Sequence, residues 1–212
     1  MNLFRRNLIA AIMLLLPLRV SAQHKHGSGH EYNVLQPEQP VETSAKVEVV
    51  EFFWYGCPHC YKFEPLLEAW VPKLPADVAF RRTPAIFNDR WAHDAAIYYA
   101  FEALGLTDKL HRPLFDAIHR DRLRSGDSKA FAEWLRKNGV DPVRFEQTLK
   151  SFGVRTRVRR AKQLSVSYNL EGVPTLAVHG RYTIEAEEGL DAMLKTADKL
   201  IAATRKGVAP ST

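Results

Sequence analysis

The chain has 212 residues, of which 46% are hydrophobic and 25% are charged, and its formal net charge is +6 at pH 7. Arg5, Arg6 and Arg19 lie in the first 22 positions with no acidic residue, so the remainder carries only +3 (6 − 3). A charge this small implies no nucleic-acid partner. The apolar content permits a packed core without disulfides, in one domain or in one domain with a large insertion.

Residues 1–22 have the three-part pattern of a secretory signal peptide. Two arginines precede an apolar run over residues 7–18, and small residues at 20–22 end it where a signal peptidase would cleave after Ala22. The run is too short for a comfortable membrane span, and an uncleaved N-terminal anchor is the alternative. We therefore expect an exported protein in a bacterial periplasm, where thiols tend to oxidise.

Residues 23–31 are predicted to form a flexible leader. Its three histidines, His24, His26 and His30, are compatible with a metal site. The neighbouring glycines and serine, and the lack of a cysteine or carboxylate pattern that would complete such a site, favour the leader.

Two strands and a helix are predicted next. Residues 32–35 can form a short strand, and the β-branched and aromatic run at 46–55 predicts a mostly buried central strand with Glu51 inside it. A helix should follow with Cys57 as its N-cap and Pro58 at its first position, and Pro65 should kink it.

A second strand, parallel to the central one, is predicted at residues 77–87. Only helices are expected from about residue 88 to 168, including one that begins at Asp141-Pro142 with Phe145, Leu149 and Phe152 as its apolar stripe.

The dense basic run at residues 155–162 lies in one of these helices. Its charges fall opposite an apolar stripe at helical spacing: Val154, Val158, Ala161, Ser165 and Tyr168. This pattern favours a solvated helix face over a patch for an acidic partner. Beyond it, residues 174–180 and 181–185 predict a β-hairpin that turns at His179-Gly180, and a final helix ends near Gly207.

The chain has only two cysteines, Cys57 and Cys60, separated by Pro58 and His59. A bridge that closes four residues stabilises little, so the pair is predicted to react rather than to brace the fold. The helix N-terminus, an S–H donor from Cys60 and a protonated His59 should all favour the Cys57 thiolate. Because a stabilised thiolate is a good leaving group, the pair is predicted to be an oxidising dithiol. Cys57 would be attacked first, and the less exposed Cys60 would resolve the mixed disulfide. Half of a zinc site is the alternative, but no second cysteine pair exists to complete it.

The segment FFWYGCPHCYKFEP, residues 52–65, closely resembles the active-site segment of the DsbA family of periplasmic thiol:disulfide oxidoreductases. EGVPT, residues 171–175, resembles that family's second motif, in which a valine precedes a cis-proline. The resemblance implies an α/β, thioredoxin-like fold with a large α-helical insertion. Residues 32–87 and 161–207 would be its two thioredoxin-like parts, 88–160 the insertion and 208–212 a tail.

The resemblance also implies roles for individual residues. Cys57 would be the nucleophile and Cys60 the resolving thiol, with the redox poise set by the two residues between them, Pro58 and His59. The Val173-Pro174 bond would be cis, and its backbone would pair with an extended substrate peptide.

Two acidic positions match those near the active site of the family. Glu51, buried and with a raised pKa, would relay the proton that Cys60 must lose. For Glu64, an exposed helix acid is the alternative. Pro65, directly after Glu64, departs from the family pattern.

The expected activity is therefore that of a dithiol oxidase without a cofactor other than its Cys57–Cys60 disulfide. Its partners would be reduced exported proteins and a DsbB-type membrane quinone reductase that reoxidises it. A disulfide isomerase or reductase is the alternative, but the N-terminus is too short for a dimerisation domain, so we expect a monomer. An alternative of another class is a metal-binding carrier that uses the leader histidines and the cysteines.

Overall fold

The computed structural model describes residues 31–43, 45–208 and 210. The predicted signal peptide and the three histidines of the predicted leader lie outside these residues. Glu31, the last residue of that leader, is described, and the Lys199 ammonium lies 2.7 Å from its Oε2 atom.

A five-stranded sheet forms the centre of the fold, in the order β1-β5-β4-β2-β3. The strands are β1 (Asn33–Val34), β2 (Val47–Phe53), β3 (Val78–Pro84), β4 (Thr175–Val178) and β5 (Tyr182–Glu185). Every residue of β2 is buried, and this strand pairs in parallel with β3 and antiparallel with β4. The predicted central strand, its parallel neighbour and the C-terminal hairpin are thus confirmed.

In the described part of the chain, seven α-helices surround the sheet: α1 (Pro58–Trp70), α2 (Asp89–Ala103), α3 (Thr107–His119), α4 (Ser128–Lys137), α5 (Pro142–Leu149), α6 (Phe152–Ser167) and α7 (Leu190–Lys206). Helices α2 to α6 all lie between β3 and β4, as predicted. The predicted boundary between residues 160 and 161 falls inside α6, which continues to Ser167.

One helix boundary was predicted wrongly. Phe152 was expected in the apolar stripe of the helix that begins at Pro142, but that helix ends at Leu149. The Ser151 side chain accepts the amide N–H of Val154 and starts a new helix, so Phe152 becomes its first residue and is 72% exposed.

The side chains of β2 alternate between two buried faces of the sheet. Val49 lies in the same apolar cluster as Phe63 of α1, whereas Val50 lies in the cluster of Leu164 on α6. Glu51 lies two positions after Val49, so its side chain points to the same face of the sheet as that of Val49. The two glutamates of this strand, Glu48 and Glu51, therefore face opposite sides of the sheet.

The turn after β2 is fastened to α2. The Trp54 ring stacks on that of Trp91, with centroids 4.4 Å apart, and its Nε1–H donates to Asp94 Oδ2 at 2.6 Å. A side chain at Gly56 would collide with the Trp54 ring. The turn therefore combines a large ring at position 54 with a glycine at position 56.

Within the part of the chain that the structure describes, no helix is both long and apolar enough to cross a bilayer.

Candidate active site

Cys57 caps the N-terminus of α1, as predicted. Its backbone is extended (φ −87°, ψ 119°), its Sγ atom accepts the amide N–H of Cys60 at 3.4 Å, and Pro58 occupies the first helical turn. Cys57 is 7% exposed and Cys60 is fully buried, so an incoming thiol reaches Cys57 first.

The two sulfurs differ in acidity. The S–H of Cys60 donates to Cys57, and this contact does most to lower the pKa of Cys57, to about 6. The amide N–H groups of Cys60 and His59 and the charge of His59 act in the same direction, against partial burial. For Cys60, burial raises the pKa well above its usual value. At neutral pH the reduced pair is therefore a thiolate at Cys57 beside a thiol at Cys60.

The Val173-Pro174 peptide bond is cis, as the resemblance implied. The Cys57 Sγ atom lies 3.3 Å from the carbonyl oxygen of Val173, close to the start of β4 at Thr175, and can donate to it only when the thiol is protonated. The loop thus brings the Val173-Pro174 backbone against the sulfur that a client would attack.

Glu51 is completely buried on the α1 side of β2. Burial raises its pKa to about 8; the charge of Glu64 acts in the same direction, and Arg82, whose Nε atom lies 3.0 Å from Glu51 Oε2, acts against both. The charge of Glu51 in turn contributes to the raised pKa of Cys60. Glu51 is therefore a buried acid that can hold or release a proton near neutral pH, as expected from its position in the central strand.

Glu64 is 1% exposed, which excludes the exposed helix acid that the sequence left open. Its Oε2 atom accepts from Arg82 Nη2 at 3.1 Å, and its Oε1 atom lies 3.2 Å from His111 Nε2. Burial opposes ionisation, but the hydrogen bond from His111 and the charge of Arg82 outweigh it and lower the pKa of Glu64. Helix α1 continues through Pro65, the next residue.

Two residues at this site were missed by the sequence analysis, Arg82 and His111. Arg82 lies directly opposite Glu51 in the parallel ladder. The sequence feature that could have identified Arg82 is the pair of arginines, Arg81 and Arg82, inside an otherwise apolar strand. His111 comes from α3 and had no signal, because its partners are 47 and 56 positions away in sequence.

A third missed residue, His119, holds both segments that flank the cysteines. Its Nε2–H donates to the carbonyl oxygen of Tyr55 at 2.8 Å, and its ring stacks on Tyr61 with centroids 4.7 Å apart. The Tyr61 hydroxyl donates to Asp116 Oδ1 at 2.8 Å. Helix α3 therefore fixes the cysteine loop from the side of the insertion.

The described residues contain no group of three or more histidine, cysteine or acidic side chains placed to hold a metal ion. The metal-carrier alternative relied on His24, His26 and His30, which lie outside the described residues.

Comparisons with known proteins agree with this geometry. A family model described as a DSBA-like thioredoxin domain matches residues 76–200. The chain is 41% identical over 175 residues to the thiol:disulfide interchange protein DsbA of Azotobacter vinelandii, covering 82% of each chain. It is 39% identical over 201 residues to the DsbA of Pseudomonas aeruginosa, covering 92% of this chain and 95% of the relative.

Solved structures give the same result. The crystal structure of Pseudomonas aeruginosa DsbA superimposes with a TM-score of 0.80 at 39% identity, over 84% of this chain and 94% of that one. The DsbA of Xylella fastidiosa gives a TM-score of 0.79 at 30% identity, over 85% and 98%. The predicted thioredoxin-like fold with a helical insertion is thereby confirmed.

Proposed function

The chain belongs to the DsbA family of thioredoxin-fold thiol:disulfide oxidoreductases, and on that premise we propose that it is a periplasmic oxidase that donates its Cys57–Cys60 disulfide to reduced exported proteins. The observation that carries this proposal is the difference in acidity between the two cysteines. A stabilised Cys57 thiolate favours the reduced form of the enzyme, so the disulfide is readily given away.

The reaction takes two thiol–disulfide exchanges. A client thiolate attacks Cys57 Sγ, the Cys57–Cys60 bond breaks, and the Cys60 sulfur takes up a proton, which the Glu51 carboxyl supplies. A second client thiolate then attacks the client sulfur of the mixed disulfide, and Cys57 leaves as a thiolate. The client loses two electrons and becomes a disulfide, while the enzyme ends as a thiolate and a thiol.

The backbone at Val173-Pro174 would hold the client in an extended conformation during this exchange. What supports this role is the 3.3 Å distance from Cys57 Sγ to the Val173 carbonyl oxygen, since Cys57 is the sulfur that would carry the mixed disulfide. Reoxidation by a DsbB-type membrane quinone reductase runs the exchange in reverse, and ionised Glu51 then accepts the Cys60 proton. We expect the enzyme to act as a monomer.

Redox equilibration with glutathione tests the direction of transfer. We expect an oxidising potential and a thiolate absorbance at Cys57 that titrates near pH 6, as its lowered pKa requires. A strongly reducing potential, near that of thioredoxin, would contradict the oxidase role.

Trapping tests the identity of the attacked sulfur. The Cys60→Ser variant should accumulate a mixed disulfide with a reduced client peptide, because the resolving thiol is absent, whereas Cys57→Ser should accumulate none. A covalent adduct on Cys57→Ser of similar yield would show that Cys60 is attacked directly.

Cell fractionation and light scattering test the expected location and the monomeric state.

A further inference from the structure

A line of buried polar groups runs from the insertion to the central strand. The Tyr55 hydroxyl lies 2.9 Å from His111 Nδ1, and His111 Nε2 lies 3.2 Å from Glu64 Oε1. On the other side of Glu64, Arg82 Nη2 donates to Oε2 at 3.1 Å, and Arg82 Nε lies 3.0 Å from Glu51 Oε2. Three of these contacts connect His111 of α3 to Glu51, and the fourth joins His111 to Tyr55 in the turn after β2.

The charges along this line do not balance if both acids are ionised. Glu51 and Glu64 share a single guanidinium, that of Arg82. Two carboxylates with one cation would leave a net negative charge at a buried site, so the pair retains one proton around neutral pH. Which of the two carboxylates holds that proton depends on their other partners.

Glu64 has a hydrogen-bond partner that Glu51 lacks, namely the His111 ring. Its Nε2 atom faces a carboxylate, which can only accept, so that nitrogen carries the hydrogen. Burial lowers the pKa of His111, and in the resulting neutral ring Nδ1 accepts the hydrogen of the Tyr55 hydroxyl. Every polar atom of the ring is then satisfied, and the N–H donor points at Glu64 alone.

We propose that His111, oriented by Tyr55, is a positioning residue that keeps Glu64 ionised and thereby leaves the shared proton on Glu51. The inference rests on the proposed function only in that Glu51 exchanges this proton with Cys60. It assigns the helical insertion a direct part in the redox chemistry, through a side chain that does not touch the cysteines.

Other titratable or charged groups interact with Glu51, Glu64 or His111 from the neighbouring elements: Cys57 and Cys60 at the start of α1, Glu68 further along α1, which acts on His111, Arg82 from β3, Tyr55 from the turn after β2, and Tyr98 from α2. Among the described side chains around Glu64, only Arg82 and His111 donate hydrogen bonds to it. Of the two acids, removing His111 therefore acts directly on Glu64 and reaches Glu51 only through Arg82 and Glu64.

The test is a carboxyl ¹³C NMR titration of Glu51 and Glu64 in the reduced protein. In His111→Leu, Glu64 loses a hydrogen bond to its charged form, and its midpoint should rise by roughly one to two pH units. His111→Gln retains an amide donor and should restore much of the shift. Tyr55→Phe removes only the hydrogen bond that orients the ring and leaves the Nε2–H donor in place, so it should move the Glu64 midpoint in the same direction but by less than about half a pH unit.

An unchanged Glu64 midpoint in a folded His111→Leu protein, with the near-UV circular dichroism of the parent, would overturn the proposal. Imidazole ¹⁵N shifts in the unaltered protein provide a test that needs no variant. An imidazolium, or a neutral ring with its hydrogen on Nδ1 at pH 7, would also overturn it. Neither measurement involves a client, so a reducing glutathione potential would refute the oxidase while leaving this inference standing.

Discussion

Strands β2 and β3 carry two buried glutamate–arginine pairs on opposite faces of the sheet, and the two pairs are built differently. In the first, both Glu48 oxygens lie 3.2 Å from Arg81 nitrogens, and Oε2 also accepts the Glu42 amide N–H at 3.0 Å. In the second, Glu51 has a single 3.0 Å contact with Arg82, an arginine that it shares with a second carboxylate.

The difference shows how one sheet can place the same two residue types in two roles. The Arg81 guanidinium faces one buried carboxylate, that of Glu48, because its other carboxylate contact, with Glu42 at 3.8 Å, is to an exposed side chain; Arg81 also donates to Thr83 at 2.7 Å. Glu51 shares the Arg82 guanidinium with Glu64, and no other described side chain donates a hydrogen bond to it. Its pKa rises to about 8. A buried carboxylate with several charged or polar donors stays ionised and pairs with its arginine across the two strands. A buried carboxylate that shares its arginine with a second acid keeps a proton near neutral pH.

The largest difference between the two pairs should appear in stability. Glu48→Leu leaves the partly buried Arg81 guanidinium with only the exposed Glu42 at 3.8 Å as a carboxylate partner and should lower the free energy of unfolding by about 3 kcal/mol. Glu51→Leu removes a carboxyl that is mostly protonated at pH 7, and Arg82 keeps Glu64, so its cost should be much smaller. Urea unfolding of both variants checks this, and equal losses would mean that the two pairs are equivalent.

The next largest effect concerns catalysis. Resolution of a Cys57–glutathione mixed disulfide by Cys60 requires loss of the Cys60 proton, so in the parent its rate should rise with pH through about 8, as Glu51 ionises. Glu51→Gln should abolish this rise and slow the step at pH 8 by about a hundredfold. Glu48→Gln is the control and should stay within about twofold of the parent, because its side chain faces the other side of the sheet. A stopped-flow pH profile that Glu51→Gln leaves intact would rule out the relay.

A smaller effect is the pH dependence of stability. The pKa of Glu51 rises from 4.5 to about 8 on folding, so the folded protein keeps a proton that the unfolded chain loses above pH 4.5. The favourable contribution is complete below pH 4.5 and is lost as the pH rises to about 8. Relative to the parent, Glu51→Gln should therefore gain roughly 2 kcal/mol between pH 5 and pH 6.5. Urea midpoints at the two pH values measure it, and a difference independent of pH would contradict the raised pKa.

The smallest effect should come from Thr83→Val. It removes the hydroxyl that accepts from Arg81 and should cost about 1 kcal/mol of stability. Because Thr83 belongs to the Glu48 pair, the thiolate titration of Cys57 should keep its midpoint. A shifted midpoint would show that the two faces of the sheet are coupled.

Local patterns were enough to predict the elements that carry the chemistry. A β-branched run predicted β2, a cysteine before a proline predicted the start of α1, and a charged residue inside the strand identified Glu51 as unusual. Each of these signals lies within about ten residues of the feature it predicts, where the physics of strands and helix caps operates.

The partners of the two acids could not be predicted in the same way. Arg82 reaches Glu51 only through the register of β2 and β3, and His111 reaches Glu64 only because α3 docks against α1. Long-range docking decided both of these contacts, and periodicity carries no information about it. The prediction for Phe152 failed for a local reason, since Ser151 could either continue one helix or cap the next.

The collision between Trp54 and any side chain at position 56 has a consequence for evolution and for protein engineering. Trp54 is held by Trp91 and Asp94, both supplied by the insertion, so the choice of glycine next to the first cysteine is dictated by a helix that arrives later in the chain. A chimaera that receives the insertion of a relative lacking these two residues would release the indole and free position 56 to vary. Positions 54, 56, 91 and 94 should therefore be exchanged as one block.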